Sequence, residues 1–166
     1  MKFLILALFT FSGFVTMAQI DSTQPPYKRF PTVPPIQILL SDSTTFFKKE
    51  QILLHKPLLF MLFSPGCSHC QHETEELIAH KEAFKNIQIV MVTMQPLSEM
   101  KDFIANYKLN EWPNIVVGRD VYYTMPAFYN IHNLPFLAMY DKKGDLISTF
   151  EGSMPIEKVI DTFKGK

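Results

Sequence analysis

The sequence predicts an α/β fold in which helices flank a central mixed β-sheet. Two largely apolar runs, PLLFMLF at 57–63 and IQIVMVTM at 87–94, are typical of strands buried on both faces of such a sheet. A helical pattern follows each of these runs. Two further strands, joined by the turn DKKGD at 141–145, indicate a hairpin near the C-terminus. Strands that alternate with helices and end in a hairpin require a sheet with both parallel and antiparallel pairs.

The predicted elements follow one another without an internal repeat. A first strand covers 36–40, and residues 41–54 combine a candidate helix cap at Ser43 or Thr44 with a short helical stretch. The other strands are predicted over 57–63, 87–94, 114–117, 136–140 and 146–151. The helices are predicted over 67–84, from a cap at Ser98 to 109, over 121–131 with Pro126 as a potential break, and from Pro155 to 163.

Composition and charge limit the classes of protein to which this chain can belong. It has 166 residues, 47% of them apolar, and its 16 basic residues balance 16 acidic ones. The apolar fraction excludes a disordered chain, and the length suits one domain. Zero net charge without a basic run argues against a nucleic-acid partner. Two cysteines are too few for a disulfide scaffold.

Residues 1–18 have the layout of a secretory signal peptide. A positive start at Lys2 precedes an apolar run over 3–15, and small residues follow at the cleavage-determining places. The run is shorter than the ~20 residues of a membrane-spanning helix, so an uncleaved anchor is the less favoured alternative. We therefore expect a soluble, exported protein, in the periplasm or another extracytoplasmic compartment, with no stable membrane anchor after cleavage.

Two further segments follow the predicted signal peptide. Residues 19–35 hold five of the twelve prolines and are predicted to form an extended arm without a core of its own. The folded domain is predicted over residues 36–166.

The residues with chemical potential lie together in Cys67-Ser68-His69-Cys70, which follows the most apolar strand and opens a helix. Cysteines three residues apart at a helix start bring their sulfurs close enough for a disulfide. Unpaired N–H groups at the positive end of the helix dipole favour the thiolate of the first cysteine, and a protonated His69 adds to this effect. We therefore expect Cys67 to attack a disulfide and the shielded Cys70 to resolve the product.

Three other interpretations of this cysteine pair are weaker. A permanent structural disulfide closes too short a loop to constrain the unfolded chain much. A metal site is conceivable with Cys67, Cys70 and either His69 or His72, with copper favoured over zinc, but no second ligand pair completes it. Attachment of a c-type haem requires a histidine directly after Cys70, where this chain has Gln71.

The motif SPGCSHCQHETEEL after PLLFMLF, together with Leu134-Pro135 before FLAMYDKKGDL, resembles the thioredoxin-like fold. It is most similar to the exported TlpA-like thiol–disulfide oxidoreductases, over roughly residues 36–163. The resemblance implies a three-layer sandwich with a central mixed sheet flanked by helices. It also implies protein thiol or disulfide substrates and a redox partner, with no organic cofactor and no metal.

The same resemblance assigns roles to three further residues. It implies that Pro135 is cis and packs beside the disulfide, and that the backbone of Leu134 pairs with a bound substrate chain. It marks Glu73 as an acid that relays a proton to or from Cys70. The alternatives are an ordinary trans proline that starts a strand and a solvated acid in the first helical turn.

Two departures from the family pattern leave the direction of electron flow open. Gly66 stands where thioredoxins usually have Trp, and Met61 stands where a buried Asp or Asn is expected, so one route for proton transfer is missing. These losses argue against a fast general reductase. His69 favours an oxidising potential, whereas the resemblance favours a reductant.

Overall fold

A computed structural model describes residues 23–53 and 55–165, and its elements follow the predicted order. The predicted signal peptide at 1–18 lies outside the described residues. The strands are β1 (Gln37–Leu39), β2 (Phe46–Lys48), β3 (Leu58–Leu62), β4 (Gln88–Thr93), β5 (Ile115–Arg119), β6 (Phe136–Tyr140) and β7 (Leu146–Glu151). The helices are α1 (Pro26–Arg29), α2 (Ser68–Ala79), α3 (Lys81–Phe84), α4 (Leu97–Asn106), α5 (Thr124–Tyr129) and α6 (Ile156–Phe163). Among the described residues, no helix is both long and apolar enough to cross a bilayer.

The seven strands of the described residues form one sheet in the order β2-β1-β5-β4-β3-β6-β7. The central strands β3, β4 and β5 run parallel to one another. β6 pairs antiparallel with β3 and with β7, and β1 pairs antiparallel with β5 and with β2. The predicted mixed sheet and C-terminal hairpin are therefore confirmed.

The central strand β3 is buried on both faces because a separate apolar cluster covers each side of the sheet. Leu59 and Met61 belong to a cluster formed with α2, α4 and α6, whereas Leu58, Phe60 and Leu62 belong to a second cluster formed with α5 and β1. Side chains alternate between the faces of a strand, so a strand that is apolar at every position fits only between two layers. This arrangement is the predicted three-layer sandwich.

Residues 41–54 differ from the prediction, because the chain turns where a helix cap was expected. Asp42 Oδ1 accepts hydrogen bonds from the backbone N–H groups of Thr44 and Thr45, at 3.0 and 2.8 Å. This turn directs the chain back along β1 as the edge strand β2, in which Phe47 is buried. Only residues 49–51 form a helical turn, of the 3₁₀ type.

Two predicted helix boundaries are also wrong. The helix predicted over 67–84 is broken at His80, whose ψ of 24° lies outside the helical range, and Phe84 in α3 becomes fully buried. Burial of that ring outweighs the loss of a few backbone hydrogen bonds. The cap predicted at Ser98 is instead Pro96, whose carbonyl accepts from Met100 N–H at 3.1 Å, so Ser98 lies inside the first turn of α4.

The described part of the proline-rich arm packs onto the domain instead of remaining extended throughout. It contains α1, whose neighbour Tyr27 contacts the Tyr129 ring with centroids 5.9 Å apart. Thr32 forms a β-bridge with Asp145, and Val33 is buried in the second apolar cluster. The arm therefore has no core of its own and adds side chains to the core of the domain.

Candidate functional site

The cysteine pair lies at the edge of the sheet where the parallel strands β3, β4 and β5 end. Cys67 is the N-cap residue of α2, with extended backbone angles. Its Sγ accepts a hydrogen bond from Cys70 N–H at 3.4 Å. The predicted start of the helix at the cysteines is therefore confirmed, and Sγ receives one of the N–H groups that the first helical turn leaves unpaired.

The two thiols lie in opposite environments. Cys67 is partly exposed, whereas Cys70 is fully buried in the apolar cluster that also contains Met61. Burial raises the pKa of the Cys70 thiol to about 12, with further contributions from its hydrogen bond with Cys67 and from the nearby charge of Glu73. A solvent-borne disulfide can reach Cys67 directly, while Cys70 stays protonated until a base removes its proton.

The loop before β6 closes the other side of the site. The Leu134–Pro135 peptide bond is cis, as the resemblance implies, and Pro135 is buried. The Leu134 carbonyl lies 3.9 Å from Cys67 Sγ and accepts from its thiol. The structure thus places the predicted substrate-binding residue next to the predicted attacking sulfur, although the two are 67 positions apart in the chain.

Glu73 is buried instead of solvated, with 1% of its surface exposed. Its Oε2 accepts from Met154 N–H at 3.2 Å, whereas its Oε1 has no hydrogen-bond partner among the described residues. Burial raises the pKa of the Glu73 carboxyl, and the Met154 hydrogen bond and His72 only partly oppose that rise. A buried carboxyl with a spare oxygen beside Cys70 can accept a proton.

A family model described as thioredoxin-like matches residues 55–146. The chain belongs to the thioredoxin-like family. A search of curated proteins finds no matching sequence. The family assignment agrees with the sheet order, the flanking helices and the position of the cysteine pair at a strand–helix junction.

Solved structures share this thioredoxin-like fold at low sequence identity. A secreted Mycobacterium tuberculosis disulfide oxidoreductase, described as homologous to E. coli DsbE, is 18% identical, with a TM-score of 0.64 over 77% of this chain and 93% of that one. MTB dsbF is 21% identical, with a TM-score of 0.66 over 79% and 96%. StoA from Bacillus subtilis is 18% identical, with a TM-score of 0.60 over 80% and 98%.

His69 is the predicted site residue whose role the geometry leaves as a prediction. Its side chain is exposed to solvent between the two cysteines, and its backbone carbonyl accepts from Ser153 Oγ at 3.4 Å. Met61, at the position of the missing acid, is fully buried in the same cluster as Cys70 and offers no carboxylate or amide there.

Sequence reasoning missed the segment that follows β7. Gly152 has a φ of +91°, a conformation that glycine adopts without strain, and its N–H donates to the Pro135 carbonyl at 2.8 Å. The next residues, Ser153 and Met154, contact α2 through the hydrogen bonds described above. The sequence signal is only a glycine after a strand, which does not indicate what the turn will touch.

A metal centre was the principal alternative for the cysteines. Across residues 23–53 and 55–165, no group of three or more His, Cys, Asp or Glu side chains is arranged to hold a metal ion. The two cysteines and His69 or His72, the ligands considered from sequence, do not form such a group among those residues.

Proposed function

We propose that this protein is an exported thiol–disulfide oxidoreductase that exchanges dithiol for disulfide with protein partners through Cys67 and Cys70. The observation that carries the proposal is the contrast between a partly exposed Cys67 at a helix start and a buried Cys70, with the Leu134 carbonyl beside the exposed sulfur. Family membership and the oxidoreductases among the solved structures support it.

In the first step, the Cys67 thiolate attacks one sulfur of a substrate disulfide. A bond forms between Cys67 Sγ and that sulfur, the substrate S–S bond breaks, and the departing sulfur leaves as a thiolate that takes up a proton. The Cys70 N–H, 3.4 Å from Cys67 Sγ, stabilises the negative charge on the sulfur before attack. The product is a mixed disulfide between the protein and its substrate.

In the second step, Cys70 attacks Cys67 Sγ and releases the substrate. Because burial holds the Cys70 pKa at about 12, its proton needs an acceptor, and the carboxylate of Glu73 is the nearby base. The raised pKa of Glu73 narrows the difference in acidity between donor and acceptor. The Cys67–Cys70 bond forms and the mixed disulfide breaks. Overall, the substrate gains two electrons and two protons, and the protein dithiol becomes a disulfide.

The same steps in reverse oxidise a substrate dithiol, so the reduction potential decides the direction. We propose that His69 raises this potential by stabilising the reduced form, and that the backbone of Leu134 holds the substrate chain. The predicted signal peptide at 1–18 and the secreted protein among the solved structures support an extracytoplasmic location.

The test is to trap the mixed disulfide. The Cys70→Ala variant should retain a covalent adduct with a protein disulfide such as insulin, because the resolving thiol is absent, and reductant should release it. Cys67→Ala should retain none. Equal trapping by both variants, or faster alkylation of Cys70 than of Cys67 in the native protein, would contradict the assigned roles.

A titration with Cu(I) distinguishes the copper-handling alternative. If the protein exchanges disulfides, it should react with a thiol reagent rapidly and reversibly and bind no stoichiometric copper at competing concentrations of a chelator. Tight binding of one copper ion without disulfide exchange would favour the metal-handling role instead.

A further inference from the structure

The four residues 151–154, at the end of β7, touch both halves of the redox site. Gly152 N–H donates to the Pro135 carbonyl at 2.8 Å, on the loop before β6. Ser153 and Met154 make their hydrogen bonds to α2, at the His69 carbonyl and at Glu73. The first of the four residues, Glu151, is the one whose side chain reaches toward the loop.

The Glu151 carboxylate binds the two residues that precede Leu134. Its Oε2 accepts from the backbone N–H of Asn133 at 3.2 Å and from the Asn133 side-chain amide at 3.3 Å. Its Oε1 lies 3.6 Å from His132 Nδ1, which is an ion pair when the imidazole is protonated. Both oxygens of one side chain are thus directed at residues 132–133.

This loop needs an external support because it is exposed. His132 and Asn133 are exposed, and Leu134 is only partly buried. A loop that orders only when the substrate binds loses part of the binding free energy to that ordering, whereas a loop held in place beforehand does not. The Glu151 carboxylate provides such a support one residue before the Leu134 backbone.

We propose that Glu151 is a positioning residue, which holds Asn133 and thereby fixes the Leu134 backbone opposite Cys67 for an incoming protein chain. This inference rests on the proposed function, because it concerns how that site binds a protein disulfide. Glu151 itself touches neither sulfur. The contacts that hold α2 come from Ser153 and Met154, so removal of the Glu151 carboxylate leaves the environment of the cysteines in place.

The experiment compares a protein disulfide with a small one. Insulin needs the Leu134 backbone for binding, whereas hydroxyethyl disulfide needs only access to Cys67. With dithiothreitol as the reductant, Glu151→Ala should raise the KM for insulin about five-fold, the loss expected for one or two exposed hydrogen bonds, with kcat little changed. Its rate with hydroxyethyl disulfide should equal that of the native protein. Glu151→Gln should recover most of the insulin KM, because its amide oxygen still accepts from Asn133.

Two further variants separate positioning from a general effect on the fold. Asn133→Ala should reproduce the KM increase, and Glu151→Ala combined with Asn133→Ala should be no worse than either change alone, because both remove one interaction. Glu82→Ala is the matched control, an exposed glutamate paired only with Lys85, and should change neither rate.

Two results would overturn this inference while the proposed function stands. These are an unchanged insulin KM in Glu151→Ala, and an equal loss with both disulfides. Failure of the native protein to reduce either disulfide would overturn the proposed function and this inference with it.

Discussion

Glu73 in α2 and Asp120 at the end of β5 are both buried carboxylates near the same edge of the sheet, with 1% and 0% of their surfaces exposed. Asp120 accepts three hydrogen bonds, from Tyr122 N–H, the Thr124 hydroxyl and Met125 N–H, at 3.3, 3.2 and 2.8 Å. Glu73 accepts one, from Met154, and its second oxygen has no partner among the described residues.

This difference separates a structural acid from a chemical one. The hydrogen bonds of Asp120 cap the start of α5 and stabilise the charged carboxylate in place. The free oxygen of Glu73 leaves a position at which a proton can bind, beside a thiol that must lose one. Burial alone therefore does not identify a functional acid, whereas burial with unsatisfied hydrogen-bonding capacity beside a reactive group does.

The largest expected effect concerns Glu73 and the rate of exchange. Glu73→Gln removes the proton acceptor for Cys70 and should slow release of the substrate from the mixed disulfide about 100-fold at neutral pH. The rate should then depend on hydroxide, so the pH–rate profile should shift to higher pH. Single-turnover kinetics with insulin as substrate measure both quantities.

A glutamate on the exposed side of the same helix provides the control for that experiment. Glu75→Gln removes a carboxylate of α2 that accepts only a long hydrogen bond, 3.5 Å from the Tyr107 hydroxyl. It should leave the rate and its pH profile unchanged. Identical profiles for Glu73→Gln and the native protein would remove Glu73 from the site.

The second effect concerns Asp120 and the free energy of unfolding. Asp120→Ala leaves buried N–H groups at the start of α5 without an acceptor and should cost about 2–4 kcal/mol in urea unfolding. The exchange rate per folded molecule should not change. Asp120→Asn keeps one acceptor oxygen and should cost less. A slower exchange rate in Asp120→Ala at unchanged stability would contradict the contrast between the two acids.

The smallest effect is the pH dependence of stability that Glu73 produces. Burial raises the pKa of Glu73, so the folded protein binds its proton more tightly than the unfolded chain does. The resulting stabilisation is present below the unfolded pKa of about 4.3 and is lost as the pH rises through the raised pKa. Glu73→Gln should therefore become more stable relative to the native protein as the pH rises through that interval. Parallel stability curves for the two proteins would contradict the raised pKa.

Local patterns predicted the elements that depend on local patterns. The apolar runs of β3 and β4, the turn between β6 and β7 and the start of α2 at the cysteines all lie where the sequence predicts them. The edge strand β2 and the break at His80 do not, because each depends on a long-range partner. β2 forms along β1, and the break accompanies the burial of Phe84.

The sequence by itself determined the reactive pair, because Cys67, Cys70 and their place at a helix start are encoded within four neighbouring residues. Only the tertiary structure decided how that pair is surrounded. The Leu134 carbonyl and the Met154 N–H come from positions 67 and 81 residues away from their partners. No local propensity encodes such distances, because they follow from the packing of α2, β6 and β7 around one sheet. The same packing leaves one oxygen of Glu73 unpaired and directs both oxygens of Glu151 toward the loop that precedes Pro135.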